Sequence, residues 1–378
     1  MSSPGASEIL AVTFETRTDD GHRVNPDLAA WGWDDTWASE LATLPAEQRV
    51  GRVVEQHRDR WVVQGEAGPL SARLPKAAPL ESYPVVGDWV VMEPGPFPAD
   101  PWSILAVLPR RSRFSRAAAG TGTAEQVLAA NVDRVWIVHG LDRPVNPRRL
   151  ERYLAVAWES GAAPEVVLTK SDLTTDPEVA VAAVQQIALG VSIWLVSTVD
   201  DRRLDELRAS LAPGRTIALL GPSGVGKSTL VNALAETELA GTGPVRVADH
   251  KGRHTTTRRE LFQITGGALL LDTPGIRELR VWDLDEGLDH AFPEIEELAQ
   301  HCRYRDCRHD TEPGCAVTAA AERGTLDPAR LDSFRKLLAE AAFQQRKTDP
   351  LAREALRSAH KSAMKTVKKF HPKYRDGR

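Results

Sequence analysis

Residues 216–236 read TIALLGPSGVGKSTLVNALAE, and this stretch decides the fold. The apolar run TIALL reads as a buried strand, a helical pattern begins at Ser228, and three glycines lie between them. Residues 221–229, GPSGVGKST, fit G-x-x-x-x-G-K-[ST]. In that setting Gly221, Gly224 and Gly226, interleaved with Pro222, Ser223 and Val225, let backbone N–H groups wrap phosphate oxygens, and the helix N-terminus after them adds a favourable dipole. Lys227 would reach the β- and γ-phosphates, and Ser228, with Thr229 next to it, would place its hydroxyl on Mg²⁺. A chance Gly-rich turn would lack the strand before it and the helix after it.

Outward from the loop, RVWIVH (134–139), EVVLT (165–169), SIWLVS (192–197) and ALLLD (268–272) are further buried-strand runs, with helical patterns between several of them. That alternation predicts a mainly parallel sheet covered on both faces, an architecture suited to nucleotides. The phosphate motif leaves the base open, because ATPases and nucleotide kinases carry similar loops. Thr169, Lys170, Ser171 and Asp172 spell TKSD after a strand, a variant of N-K-x-D. A carboxylate at Asp172 can accept hydrogen bonds from guanine N1–H and the 2-amino group together, a donor pair adenine lacks, while the Lys170 stem would lie along the base. Taken alone, TKSD also fits an ordinary helix cap. DTPG (272–275) overlaps the end of ALLLD, so that Asp272 would hold Mg²⁺ through water and the Gly275 N–H would sense the γ-phosphate. Between the two lies GRHTTT (252–257), where Thr255, Thr256 or Thr257 could complete the Mg²⁺ shell; Thr256 is the central candidate. Ser197, in VST, fits the weaker motif that contacts guanine O6.

Ordinary GTPases run phosphate loop, switch threonine, D-x-x-G, N-K-x-D, serine motif. Here TKSD and VST precede GPSGVGKST, TTT and DTPG, a circular permutation that sets the segment C-terminal to DTPG next to the second switch. That C-terminal segment contains all three cysteines of the chain, in Cys302-x4-Cys307-x-His309-x5-Cys315. Three thiolates and an imidazole make a closed tetrahedral set, the choice and number expected of one structural zinc.

The 378 residues carry 42% hydrophobic and 26% charged residues with net charge -4, which describes a globular protein of two or three domains and excludes a uniformly basic coat. Local basic stretches remain: Arg110, Arg111, Arg113 and Arg116, and a tail with Lys361, Lys365, Lys368, Lys369, Lys373 and Arg375. Either could contact RNA phosphates or simply be solvated. Five short alternating runs between residues 50 and 108 suggest an OB-type barrel. The expected division is a Trp-rich extension (1–45), the barrel (46–110), a basic linker (111–125), an α/β P-loop GTPase domain of permuted order (126–291) and a mainly helical zinc-binding domain with a basic tail (292–378). Residues 1–10 do not read as a secretory signal and no run approaches a membrane span, so a cytoplasmic monomer without membrane contact is expected.

In its permuted order, barrel and Cys3His set together, the chain resembles the ribosome small-subunit-dependent GTPase A (RsgA) family from about residue 50 onward. TKSD, GPSGVGKST, GRHTTT, DTPG and CRYRDCRHDTEPGC (302–315) carry the resemblance; the Trp-rich extension departs from it. The resemblance implies a bacterial assembly factor that engages the small (30S) subunit and its 16S rRNA late in maturation. It further implies slow GTP hydrolysis to GDP that quickens on the subunit, and help in releasing other assembly factors. Ile276 stands where signalling GTPases often place a water-orienting glutamine, and an apolar side chain cannot do that work, so intrinsic hydrolysis should be weak. His254 is the candidate replacement, completing a catalytic set with Lys227 and Gly275. The rival readings are a P-loop nucleotide kinase or ATPase, and a GTP-gated RNA-binding module whose turnover is incidental.

Overall fold

The computed structural model describes residues 26–40, 47–75, 82–97, 99–117, 125–200, 203–235, 259–272 and 285–348. Two short helices, α1 (Pro26–Ala29) and α2 (Asp35–Glu40), precede β1 (Arg49–Gln56), β2 (Trp61–Gly65), β3 (Gly68–Arg73), β4 (Trp89–Glu93) and β5 (Trp102–Val107). These five strands pair in the order β1-β2-β3-β5-β4, and β4 returns to β1, so the barrel closes and leaves no free edge within it. Only β3 and β5 run parallel. Val53, Trp61, Val63, Val90, Met92 and Ile104 fill the interior, as alternation along each strand requires.

Residues 113–117, expected in a linker, instead form β6 (Arg113–Ala117), paired antiparallel with β7 (Glu125–Ala130). The physical reason lies in Phe114, which is buried between polar neighbours and anchors one face of the ribbon in the core.

The α/β domain then runs β8 (Arg134–Gly140), α3 (Pro147–Glu159), β9 (Ala163–Thr169), α4 (Pro177–Ile187), β10 (Ser192–Leu195), α5 (Leu204–Ala209), β11 (Thr216–Leu220), α6 (Lys227–Ala235), β12 (Arg259–Gln263) and β13 (Leu269–Asp272). Strands β10-β9-β8-β11-β13 are parallel; β12 is antiparallel and joins β1, making one sheet of 11 strands with the barrel. Period-2 alternation divides the apolar residues between two faces. Val135 and Ile137 pack with Leu150 and Leu154 of α3 and Val184 of α4. Trp136 and Val138 pack with Leu204 and Leu207 of α5 and Leu230 and Leu234 of α6. This two-sided burial is why the strands read as continuous hydrophobic runs.

Four more helices complete the described chain: α7 (Asp285–Ala291), α8 (Pro293–Ala299), α9 (Ala316–Glu322) and α10 (Pro328–Thr348). They dock on α3 through a buried charge cluster. Arg330 donates to Glu151 at 3.0 Å, to Glu294 and to the Ala291 carbonyl, lies over the Phe292 ring, and Ser333 donates to Glu151 as well. Arg152 adds a bidentate pair with Glu340 at 2.8 and 2.7 Å. Removing one partner of the buried Arg330–Glu151 pair typically costs about 3–5 kcal/mol, so the cluster fixes how these helices sit on α3.

At the other end, Trp33 and Trp37 of the extension pack on Trp89 of β4. Arg52 lies fully buried at the junction, donating to the carbonyls of Trp31, Gly87 and Asn131, and burial pulls its guanidinium down to about 10. Among the described residues no helix is long and apolar enough to cross a membrane.

Candidate functional site

The carboxyl ends of β13, β11, β8, β9 and β10 lie side by side, the edge at which open α/β sheets bind ligands. From β11 the chain enters 221–226 and then α6, which begins at Lys227, with Ser228 and Thr229 completing its first turn. Gly221 has φ +146 and a Cβ there would meet the Val138 carbonyl at 2.4 Å, so the loop can pass over β8 only as glycine. Gly224 and Gly226 also have positive φ. Lys227 is buried, and its ammonium donates to the carbonyls of Gly221 (2.7 Å) and Pro222 (2.6 Å), which keeps the charge inside the curl of the loop.

TKSD begins at the last residue of β9. The Thr169 hydroxyl donates to the Val225 carbonyl at 2.6 Å, and Lys170, in the left-handed region at φ +58, donates from Nζ to the Gly224 carbonyl at 2.8 Å. Two adjacent residues of the base motif are thereby bonded to two adjacent residues of the phosphate motif, 54 to 56 positions later in the chain. On the far side, Ser197, two residues beyond β10, donates to Asp172 at 2.6 Å and orients its carboxylate, while the Ser171 N–H donates to the Val196 carbonyl. Lys170 thus contacts the loop that curls around Lys227, and Asp172 with Ser197 lies on the other side of Lys170 in sequence and strand order. Asp142 also contacts Lys170, and nothing in its sequence context marked it. Asp272 ends β13, opposite Glu260 of β12. His254, Thr255, Thr256, Thr257, Gly275, Ile276 and the basic tail lie outside the described residues.

The second centre brings Cys302, Cys307, His309 and Cys315 together, with ligand atoms all within 4.8 Å of one another. A tetrahedral zinc with Zn–S bonds near 2.3 Å puts neighbouring sulfurs about 3.8 Å apart. The Cys302–Cys315 sulfurs are 3.9 Å apart, and His309 Nδ1 lies 3.6 Å from Cys302 and 3.5 Å from Cys315, so the donor set fits the ion. Local structure holds it in place. Cys315 caps α9, its sulfur accepting from the N–H and hydroxyl of Thr318. Arg335 of α10 donates to the His309 carbonyl at 2.7 Å. Glu312 accepts from the N–H groups of Arg308 and Asp310, and backbone donation, from Asp310 foremost, holds its carboxyl down to about 2. Thr318 and Arg335 carry no spacing signal; only the folded chain reveals them.

Of the internal arginines offered as RNA contacts, several have partners within the fold, Arg116 donating to the Gln126 side chain at 3.1 Å. Arg110 makes a bidentate pair with buried Asp88, at 2.8 and 2.7 Å. Arg111 pairs both ways with Asp34 at 2.7 Å and lies 4.0 Å over the Trp37 ring. Arg110 thereby closes on the barrel and Arg111 on the extension, where a planar carboxylate and an aromatic face together hold its guanidinium.

Residues 107–282 match the family model described as RsgA GTPase. The small ribosomal subunit biogenesis GTPase RsgA of Opitutus terrae is 45% identical, the match covering 88% of this chain and 95% of that one. The crystal structure of YjeQ from Thermotoga maritima superposes with a TM-score of 0.59 at 27% identity, covering 78% of this chain and 99% of that one. YloQ, described as a circularly permuted GTPase, superposes at 0.57 and 23% identity, covers 80% of this chain and 99% of its own, and speaks to the fold alone. With TKSD bonded to a phosphate loop that comes later in the chain, a closed five-stranded barrel and 45% identity over nearly the full length of such a relative, the chain belongs to the RsgA GTPase family.

Proposed function

We propose that this chain hydrolyses GTP to GDP in the service of small ribosomal subunit biogenesis, with turnover that is slow alone and quickened by the 30S subunit through 16S rRNA. The observation that carries the nucleotide part is the pair of bonds from Thr169 and Lys170 to the Val225 and Gly224 carbonyls, which unites base and phosphate recognition. The relative from Opitutus terrae bears the name small ribosomal subunit biogenesis GTPase, which supports the cellular role. On this reading the barrel (46–110), GTPase domain (126–291) and zinc-binding helical domain (292–378) are the working units, in a cytoplasmic monomer.

Lys227 binds the β- and γ-phosphates and neutralises charge as it builds on them, Gly275 donates its N–H to the γ-phosphate, and Asp172 with Ser197 reads the guanine edge. Ser228, Thr256 and Asp272 would hold magnesium, which when bound would supply neutralisation of phosphate charge. Cys302, Cys307, His309 and Cys315 would hold zinc in a structural role. Arg110, Arg111, Arg113, Arg116 and the basic tail are the candidates for RNA phosphate contacts.

Measured with purified small subunits, GTP turnover should rise by on the order of tenfold or more over the chain alone. Equal turnover with and without subunits rejects the ribosomal part. His254→Ala should depress the stimulated rate while leaving GTP affinity nearly unchanged, as fits a group that orients water rather than nucleotide; an unaltered stimulated rate removes it from the mechanism.

Asp172→Asn reports on the base. The variant presents an amide donor where guanine needs an acceptor, so GTP should bind on the order of 100-fold more weakly, while xanthosine triphosphate, with a carbonyl at that edge, should gain. Competition binding with the two nucleotides gives the answer, and an undiminished preference for GTP would remove Asp172 from base recognition.

A further inference from the structure

In the sheet, β8 lies between β9, which carries the base motif, and β11, which carries the phosphate loop. The turn after β8 therefore leaves the sheet between the two. Asp142 sits in that turn, and its Oδ2 accepts from the Lys170 ammonium at 3.1 Å while the same ammonium donates to the Gly224 carbonyl at 2.8 Å. The turn is built for this contact. A Cβ on Gly140 would meet Asp142 Oδ1 at 2.7 Å, so the carboxylate would have to shift beside anything larger than glycine, while the Lys170 Cδ and Cε atoms, at 3.4 and 3.5 Å, would be in ordinary contact. The Leu141 N–H donates to the Thr169 carbonyl at 2.9 Å and fixes the turn against β9. Arg143 donates to Asp142 at 3.1 Å, and hydrogen bonds from Arg143 and then Lys170 hold the carboxyl below the usual aspartate range, ionised at neutral pH.

We propose that Asp142 is a positioning residue of the nucleotide site, one that holds the Lys170 ammonium on the phosphate loop so that base and phosphate binding act as a unit. This role rests on the reading of the same site as a nucleotide pocket. Lys170 has a flexible four-carbon stem and a single compact charge. With Asp142 present, that charge has two partners, the Asp142 carboxylate and the Gly224 carbonyl, and the stem beside the base motif is restrained at its tip by both. Without Asp142, only the Gly224 carbonyl remains to restrain it. Asp142 and Lys170 are 26% and 29% exposed, so screening limits the pair to a modest effect.

Binding of GDP to the full chain, monitored through its dissociation constant and off-rate, tests the proposal. Asp142→Asn should weaken GDP by about fivefold to tenfold, chiefly through faster dissociation, with the melting temperature unchanged. Asp142→Glu should restore part of the loss. In a Lys170→Met background, Asp142→Asn should add no further loss, because its only route to the nucleotide has been removed. Wild-type affinity in Asp142→Asn overturns the proposal, as does an undiminished second loss in the Lys170→Met background. A wild-type chain that fails to bind GDP is a distinguishable failure, since it overturns the underlying nucleotide reading before any variant is made.

Discussion

Lys227→Ala should lower GTP turnover by about 1,000-fold or more, with GDP binding lost at concentrations that saturate the wild-type chain. The size comes from where the charge sits. Lys227 is buried at the start of α6 with its ammonium against the Gly221 and Pro222 carbonyls, so no solvent-exposed cation can take over its work. A cation placed in that low-dielectric curl is worth far more to a triphosphate than one in water. The fold should survive. Leu230, Val231 and Leu234, not Lys227, anchor α6 in the core, and alanine is a strong helix former. The measurement pairs turnover with thermal unfolding: a large catalytic loss at a nearly constant melting temperature is expected. Turnover within about threefold of wild type would mean that the loop is not the phosphate site.

Cys315→Ser should have the largest effect on stability. Metal analysis of the purified chain is expected to find one zinc per wild-type molecule and well under half that for the variant. The consequences should spread beyond the knuckle, since Cys315 also caps α9, whose Val317 and Ala320 belong to the same core as Leu331 and Leu337 of α10. Structural zinc in small modules is worth about 10–16 kcal/mol in apparent binding free energy, more than most domains hold in total stability. When α10 loosens, Arg330 withdraws from Glu151 and leaves a carboxylate that is 2% exposed without its cation, so the damage reaches α3. A chelator strong enough to strip the ion should reproduce the variant's early unfolding transition in the wild type. Full zinc content and unchanged melting in Cys315→Ser would sink the assignment.

Much of this protein could be read from the chain alone, and the legible parts share a physical cause. The phosphate loop lies within one strand-turn-helix, where nine consecutive residues, GPSGVGKST, specify backbone shape and chemistry together. The thiolate and imidazole set spans 14 residues, so spacing and ligand type already constrain its geometry. Apolar runs such as RVWIVH announce strands because burial on both faces leaves no room for polar alternation. TKSD was a weaker signal locally, and became informative only beside DTPG and the phosphate motif.

What the sequence could not determine is which distant groups would meet. Phe114 turned an apparent basic linker into half of a β-ribbon, and Asp88 and Asp34 became partners of Arg110 and Arg111, pairings no local pattern announced. Asp142 came to Lys170 only because β8 lies between β9 and β11, and Arg330 came to Glu151 across 179 positions. Local propensity and motif spacing act over a few residues and are written in the chain. The partner of a charge is chosen by sheet order and helix docking, which bring together residues whose separation along the chain carries no information about their distance in space.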